Sequence, residues 1–199
     1  MSLTRQQAAQ NRRTILDVAS RVFRGRGVDG VGVVELMKEA GFTHGGFYNH
    51  FISKQALAAE ACAETFEDAS ADLRRTTEAD RADEPGALRR ALEAYLSRET
   101  RDNPAQGCPT AAFAVDAARE GGAIQAAYAA GIADFVTVLA EHFAASSAAA
   151  GTAGDTREKA IETLITLVGA ITLARGVGSA DEALSGDVLA VARRRIETI

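Results

Sequence analysis

The chain has 199 residues, 47% hydrophobic and 25% charged, with three prolines and no tryptophan, enough for a buried core in one large domain or in one small and one medium domain. Cys62 and Cys108 are too few for a disulfide framework or a zinc site, no apolar stretch approaches the roughly 20 residues that span a bilayer, and the opening MSLTRQQAAQNRR lacks the apolar centre of a secretory leader. Net charge is −5, yet residues 1–54 hold eight Lys/Arg against four acids and the remainder balances at −9, which suggests either a polyanion facing one end or a solvated basic face.

Abundant alanine and few β-branched runs predict an all-α chain of about nine helices. The first is expected over 8–26, where Ile15, Val18, Ala19, Val22 and Phe23 form a stripe at i, i+3, i+4, i+7, i+8, ended by Gly25 and Gly27. A short second helix over 33–40 repeats the pattern with Val33, Leu36, Met37 and Ala40, with Gly32 as its cap and Gly41 as its terminator. Thr43 then caps a third helix running to about Phe51, and Ser53 caps a fourth from Lys54 to roughly Thr76. Residues 78–84 read as a charged surface loop before Pro85. Further helices are expected at about 85–101, 109–120, 123–147, 156–177 and 181–198.

The stretch GFTHGGFYNHF over 41–51 concentrates the chemistry. Two short helices joined by Gly41-Phe42-Thr43 have the form of a helix-turn-helix, whose second helix enters the DNA major groove. Phe47 and Phe51, four apart, face inward and leave His44, Gly45, Tyr48 and Asn49 outward. His44 and Asn49 have the donors and acceptors to read base edges, and Tyr48 and His50 suit phosphate oxygens. Lys54 lies at a helix N-terminus, a pairing that also suits phosphate. Gly45 and Gly46 each cost about 1 kcal/mol in helix propensity, which close approach to a bulky partner would explain. A His44/His50 metal pair is disfavoured, because six residues put them on different helix faces with no Cys or acid nearby. His142 beside Phe143 reads as an ordinary partly buried residue, and there is no nucleophile elbow, phosphate loop or paired-carboxylate signature. No enzyme, cofactor or metal is expected.

Residues 8–57 resemble the DNA-binding domain of the TetR (tetracycline-repressor-like) transcriptional regulators. The resemblance rests on Ile15, on Phe23 to Gly27, on Ala40-Gly41, on Tyr48-Asn49-His50-Phe51 and on Ser53-Lys54-Gln55-Ala56-Leu57. It implies phosphate contacts from Tyr48, His50 and Lys54 and groove-facing positions at Thr43, His44, Gly45 and Asn49. Two departures are Gly32, where the family often has Ser or Thr, and the apolar Ile52. The implied organisation is a DNA-binding domain over 1–54 and a helical ligand-binding and dimerisation domain over 55–199.

The apolar run from Ile161 to Ala174 must be buried on more than one side, and Val188, Leu189, Ala192 and Ile196 stripe the last helix. The resemblance makes the helices at 156–177 and 181–198 a homodimer interface, suited to a palindromic operator. Tyr95, Phe113, Tyr128, Phe135 and Phe143 are either core or the lining of an effector pocket. Cys108, just ahead of a helix N-terminus in Gly107-Cys108-Pro109, suggests a thiol sensor or an ordinary packed cysteine. The expected function is therefore a cytoplasmic, ligand-responsive repressor released from double-stranded DNA by a small molecule. The alternatives are a redox or electrophile sensor using Cys108 and an all-helical enzyme with an aromatic pocket.

Overall fold

The computed structural model describes residues 4–82, 84–150 and 154–197, and all regular structure among them is helical. Helix α1 spans Arg5–Arg26, with the Thr4 hydroxyl accepting the Gln7 N–H at 3.2 Å and Ile15, Val18, Ala19, Val22 and Phe23 buried as the stripe requires. It ends at Gly27, whose φ of 77° is left-handed and whose N–H bonds the Phe23 carbonyl at 2.8 Å. Helix α2 covers Val33–Glu39 and buries Leu36 and Met37. A 3-10 segment follows over His44–Asn49, and then come α3 (Lys54–Ala82), α4 (Ala87–Tyr95), α5 (Arg98–Asp102), α6 (Pro109–Glu120), α7 (Gly122–Ala150), α8 (Thr156–Val177) and α9 (Glu182–Ile196).

Three expectations need correcting. The charged stretch 78–82 is not a loop, because α3 continues to Ala82 with Thr77 buried and Asp80 engaged by other helices; residue 83 lies outside the described residues. The helix expected over 85–101 is broken in two: Leu96 is fully buried in a non-helical conformation, and the Ser97 hydroxyl restarts a helix by accepting the Thr100 N–H. Against the expectation of no membrane-length apolar stretch, the helical stretches Gly122–Ala148 and Thr156–Ala180 are each long and apolar enough to cross a bilayer by length and composition alone. In α8 the apolar composition divides between a buried side (Ala160, Leu167, Ala170, Ile171, Ala174) and an exposed one (Ile165, Leu173).

The chain forms two compact units, Met1–Glu67 with Pro104–Ala130 and Asp68–Asn103 with Gly131–Ile199, so residue 54 falls inside the first. In the first unit α1 packs on α2 and α6, and Phe23, Met37, Phe47, Leu57 and Phe113 are fully or nearly fully buried. The Arg24 guanidinium donates to the Gly107 carbonyl at 3.1 Å, and the Val28 N–H donates to the Asp116 carboxylate at 3.2 Å, so α1 and the loop after it are tied to α6. In the second unit α8 and α9 pack as a pair. The buried Arg101 guanidinium spans Asp102, Glu182 and the Ser185 hydroxyl, the last at 2.8 Å. Arg175 and Arg193 donate to the carbonyls of Thr100, Arg101 and Leu96, groups that the ends of α4 and α5 leave without helical partners.

Candidate nucleic-acid interface

Helix α2 stops where Gly41 adopts a φ of 83°, and the Phe42 N–H returns to the Met37 carbonyl at 2.8 Å. Thr43 is extended, its side chain makes no capping bond, and the Gly46 N–H closes on its carbonyl at 3.0 Å. The expected α-helix to Phe51 is instead a six-residue 3-10 segment. Two adjacent glycines remove the side-chain packing that favours α geometry, and tight i to i+3 winding still lets both phenylalanines reach the core.

Phe47 and Phe51 are buried with ring centroids 5.8 Å apart, and the His50 and Phe51 N–H groups donate to the Phe47 carbonyl at 2.9 and 3.0 Å. Arg12 of α1 lies 4.6 Å over the Phe51 ring. With these anchors set, Thr43, His44, Gly45, Tyr48 and Asn49 are exposed and His50 is half-buried. Tyr48 is 66% exposed and stacks edge-on against both His44 and Phe47, which holds an aromatic hydroxyl out toward solvent on a braced ring. Ile52 is 90% exposed on the same stretch. The Ser53 hydroxyl accepts the Ala56 N–H at 3.0 Å and so starts α3 as expected.

Lys54 has a different setting from the one its motif suggests. Its ammonium donates to the Val28 carbonyl at 3.0 Å and the Val31 carbonyl at 3.4 Å, lies 3.9 Å from Asp29, and its side chain is only 20% exposed. Most of the other N-terminal cations also have acidic partners. Arg12 pairs with Glu60, Arg13 with Asp17 and Glu64, Arg21 with Glu39, and Arg26 with Glu35 and Glu39. The surplus counted along the sequence is thus largely met by neighbours. Among the described residues, Arg5 and the exposed Lys38 make no ion pair.

The effector candidates divide between the units. Cys108, Phe113 and Tyr128 belong to the first. There the Tyr128 hydroxyl donates to the Thr110 carbonyl at 2.9 Å, its ring meets Phe66 edge-on at 5.6 Å, and burial pushes its pKa up to about 12. The Cys108 thiol lies 3.2 Å from the Thr110 hydroxyl and is partly exposed, whereas Cys62 is fully buried and its thiol is pushed up to about 12, first by burial and then by Asp116. Tyr95, Phe135 and Phe143 belong to the second unit. Phe113 and Phe135 are buried, in keeping with core packing.

Two clusters were not assembled from the sequence, although His142 by itself reads there as an ordinary partly buried residue. Buried His142 holds its Nε2 3.3 Å from the Asp80 carboxylate, which also accepts the Leu88 N–H, and burial moves the imidazole pKa down. Asp116 and Glu120 occupy successive turns of α6, and burial moves both carboxyls upward. Two acids four apart on the otherwise apolar PTAAFAVDAARE were the available signal.

A pinned reading segment after a left-handed glycine turn, with a polar outer edge, defines a helix-turn-helix protein. Residues 15–61 match the model of the bacterial regulatory proteins of the tetR family. The match covers the N-terminal quarter of the chain. It is 44% identical over 57 residues to the HTH-type transcriptional regulator AcrR of Shigella flexneri, a match covering 29% of this chain and 26% of that protein. It is 30% identical over 105 residues to the HTH-type transcriptional repressor DhaR of Mycobacterium sp. (strain GP1), covering 53% and 51%. The chain thus spans about half or less of these relatives' length in the matched segments. A TetR-family transcriptional regulator from Agrobacterium tumefaciens shares the fold with a TM-score of 0.79 at 20% identity, covering 96% of this chain and 98% of that one.

Proposed function

We propose that this protein is a cytoplasmic transcriptional repressor that binds a palindromic DNA operator as a homodimer and leaves it when a small molecule binds. The observation that carries the reading is the braced outer edge of Thr43, His44, Gly45, Tyr48 and Asn49, held by buried Phe47 and Phe51. His44 and Asn49 read base edges, while Tyr48 and His50 grip phosphates. The chain is a regulator and not an enzyme.

The dimer reading is supported by the apolar side that α8 and α9 leave uncovered. Ile165 is 66% and Leu173 62% exposed, with Ile161, Leu184 and Val191 beside them on those two helices. A second copy on this side buries them, and the twofold axis sets two reading segments about 34–36 Å apart for half-sites one DNA turn apart. Release by an effector requires tighter effector binding to the conformation that does not fit the operator.

The test is a salt titration of binding to DNA flanking the protein's own gene, with Tyr48→Phe and His44→Ala as probes. Tyr48→Phe lowers affinity for all sequences alike, whereas His44→Ala changes the sequence preference. Binding without salt dependence, or unchanged in both variants, overturns the reading. A second reading has a specific observation behind it: of the two thiols, only Cys108 reaches solvent, and it does so at the first turn of α6. In that case the Cys108 thiolate adds to a quinone: an S–C bond forms as the ring C=C π bond breaks, the electron pair moves to the carbonyl oxygen, and the proton the thiol gave up ends on the resulting hydroquinone, so DNA release by quinones disappears in Cys108→Ser.

A further inference from the structure

The loop between α1 and α2 is gripped on both sides of one residue. The Val28 N–H is held by Asp116 of α6 at 3.2 Å, and the Val28 carbonyl is held by the Lys54 ammonium at 3.0 Å. A second ammonium bond reaches the Val31 carbonyl, two residues before α2 begins. Gly27 fits beneath the Asp116 carboxylate, where an added Cβ would lie 3.5 Å from it. The position of α2, and of the reading segment joined to it by four residues, is therefore tied to α6 through Lys54 and Asp116.

The surroundings of the ammonium argue against a phosphate ligand. Asp29 lies at 3.9 Å, and Asp116 holds the N–H of the same Val28 whose carbonyl the ammonium holds. The two Glu120 carboxylate oxygens are shielded from solvent with no hydrogen-bond partner among the described residues. With its N–H groups given to two backbone carbonyls and Asp29 at 3.9 Å, the ammonium has its donors engaged inside the protein, and a charge already met there releases few counterions from DNA. Resting on the DNA-binding reading above, we propose that Lys54 is a positioning residue: it clamps the α1–α2 loop against Asp116 of α6, setting where the reading segment lies, and it does not contact phosphate.

The charged groups facing the clamp are Asp29, Lys54, Asp116, Arg119 and Glu120, with the Cys62 thiol adjoining Asp116. Burial, followed by neighbouring carboxylates, already raises the Asp116 and Glu120 carboxyls, and Lys54 opposes the rise. A carboxyl raised in the folded state adds stability below its unfolded value, and that contribution disappears as pH climbs through the folded value. Removing the ammonium moves the folded values higher still. Lys54→Met therefore loses stability more steeply than the wild type as pH rises above the ordinary carboxylate range.

The experiment has two arms. The first is lysine acylation of the unaltered protein, read by mass spectrometry, with exposed Lys38 as internal reference. The clamp predicts Lys54 several-fold less reactive than Lys38, equally so with and without operator DNA. A Lys54 that is reactive in the free protein and protected only by DNA is a phosphate ligand, and overturns the proposal. The second is the salt dependence of Lys54→Met binding. A positioning role leaves the slope of log K against log salt unchanged while operator affinity falls, and the steeper pH profile appears. A slope smaller by about 0.9 with a wild-type pH profile overturns it. If the wild type shows no salt-sensitive affinity, the DNA-binding reading fails, and the acylation arm still reports on the clamp.

Discussion

Gly45→Ala separates a glycine kept for the fold from one kept for a partner. Gly45 is exposed, its φ is not positive, and an added Cβ has no atom within 4 Å. Nothing inside the protein demands glycine there. Replacing it removes conformational freedom from the unfolded chain, so the variant gains about 0.4–1 kcal/mol. For a chain of this length that gain is a rise of roughly 1–4 °C in Tm. The methyl group projects from the outer edge beside Tyr48, where it holds the duplex off and loosens the His44 and Asn49 contacts. Losing one base contact costs about 1–3 kcal/mol, roughly 5- to 150-fold in operator affinity. Thermal denaturation and fluorescence anisotropy at one fixed salt concentration measure the two effects. Gly46→Ala is the comparator, since its Cβ meets only the Met37 methyl at 3.7 Å and the Thr43 hydroxyl at 4.0 Å, ordinary contacts. A Gly45→Ala protein with raised Tm and undiminished operator binding refutes the clearance argument. A lowered Tm refutes the claim that the fold leaves this position free.

Gly30→Ala behaves oppositely: its Cβ would fall 2.1 Å from the Arg26 carbonyl oxygen, main chain that must shift, so Tm falls by several degrees for a cost of about 1–3 kcal/mol. His142 is buried with its pKa lowered, and a group depressed in the folded state loses its stabilising contribution as pH falls. Denaturation midpoints of the wild type therefore drop as pH falls below about 6.5, and His142→Gln removes that component of the pH dependence. Ile165→Glu places a charge in the middle of the uncovered apolar side of α8; light scattering after size exclusion is expected to give a monomer, and an unchanged dimer counts against this surface as the interface.

How much of this was legible beforehand depends on the range of the interaction. Apolar spacing is local, and it located α1 and α2 to within a few residues because each needs only one stripe to bury. Turn chemistry is equally local. Gly27 and Gly41 have the positive φ that their positions after helices suggested, whereas Gly25 lies inside α1 and does not end it; Ser53 caps α3 as read. The inward pair Phe47 and Phe51 and the outward edge around Tyr48 also followed from spacing alone.

What spacing does not carry is the choice among distant partners. Residues 78–82 look like a loop from composition, but Thr77 is buried and Asp80 meets His142, sixty-two positions on, so the helix continues. Eight cations in the first 54 residues look like one basic face, yet Glu60 and Glu64, just beyond them, take up Arg12 and Arg13. Lys54 carries a motif that names it a phosphate ligand, while two carbonyls and Asp29 decide where its ammonium rests. The sequence by itself determined most of the helices, the turn after α2 and the inward pinning of Phe47 and Phe51, because these depend on neighbours within one or two turns. Only the tertiary structure decided which charges remain available to a partner, because a charge is neutralised by whatever folding brings to within about 4 Å of it.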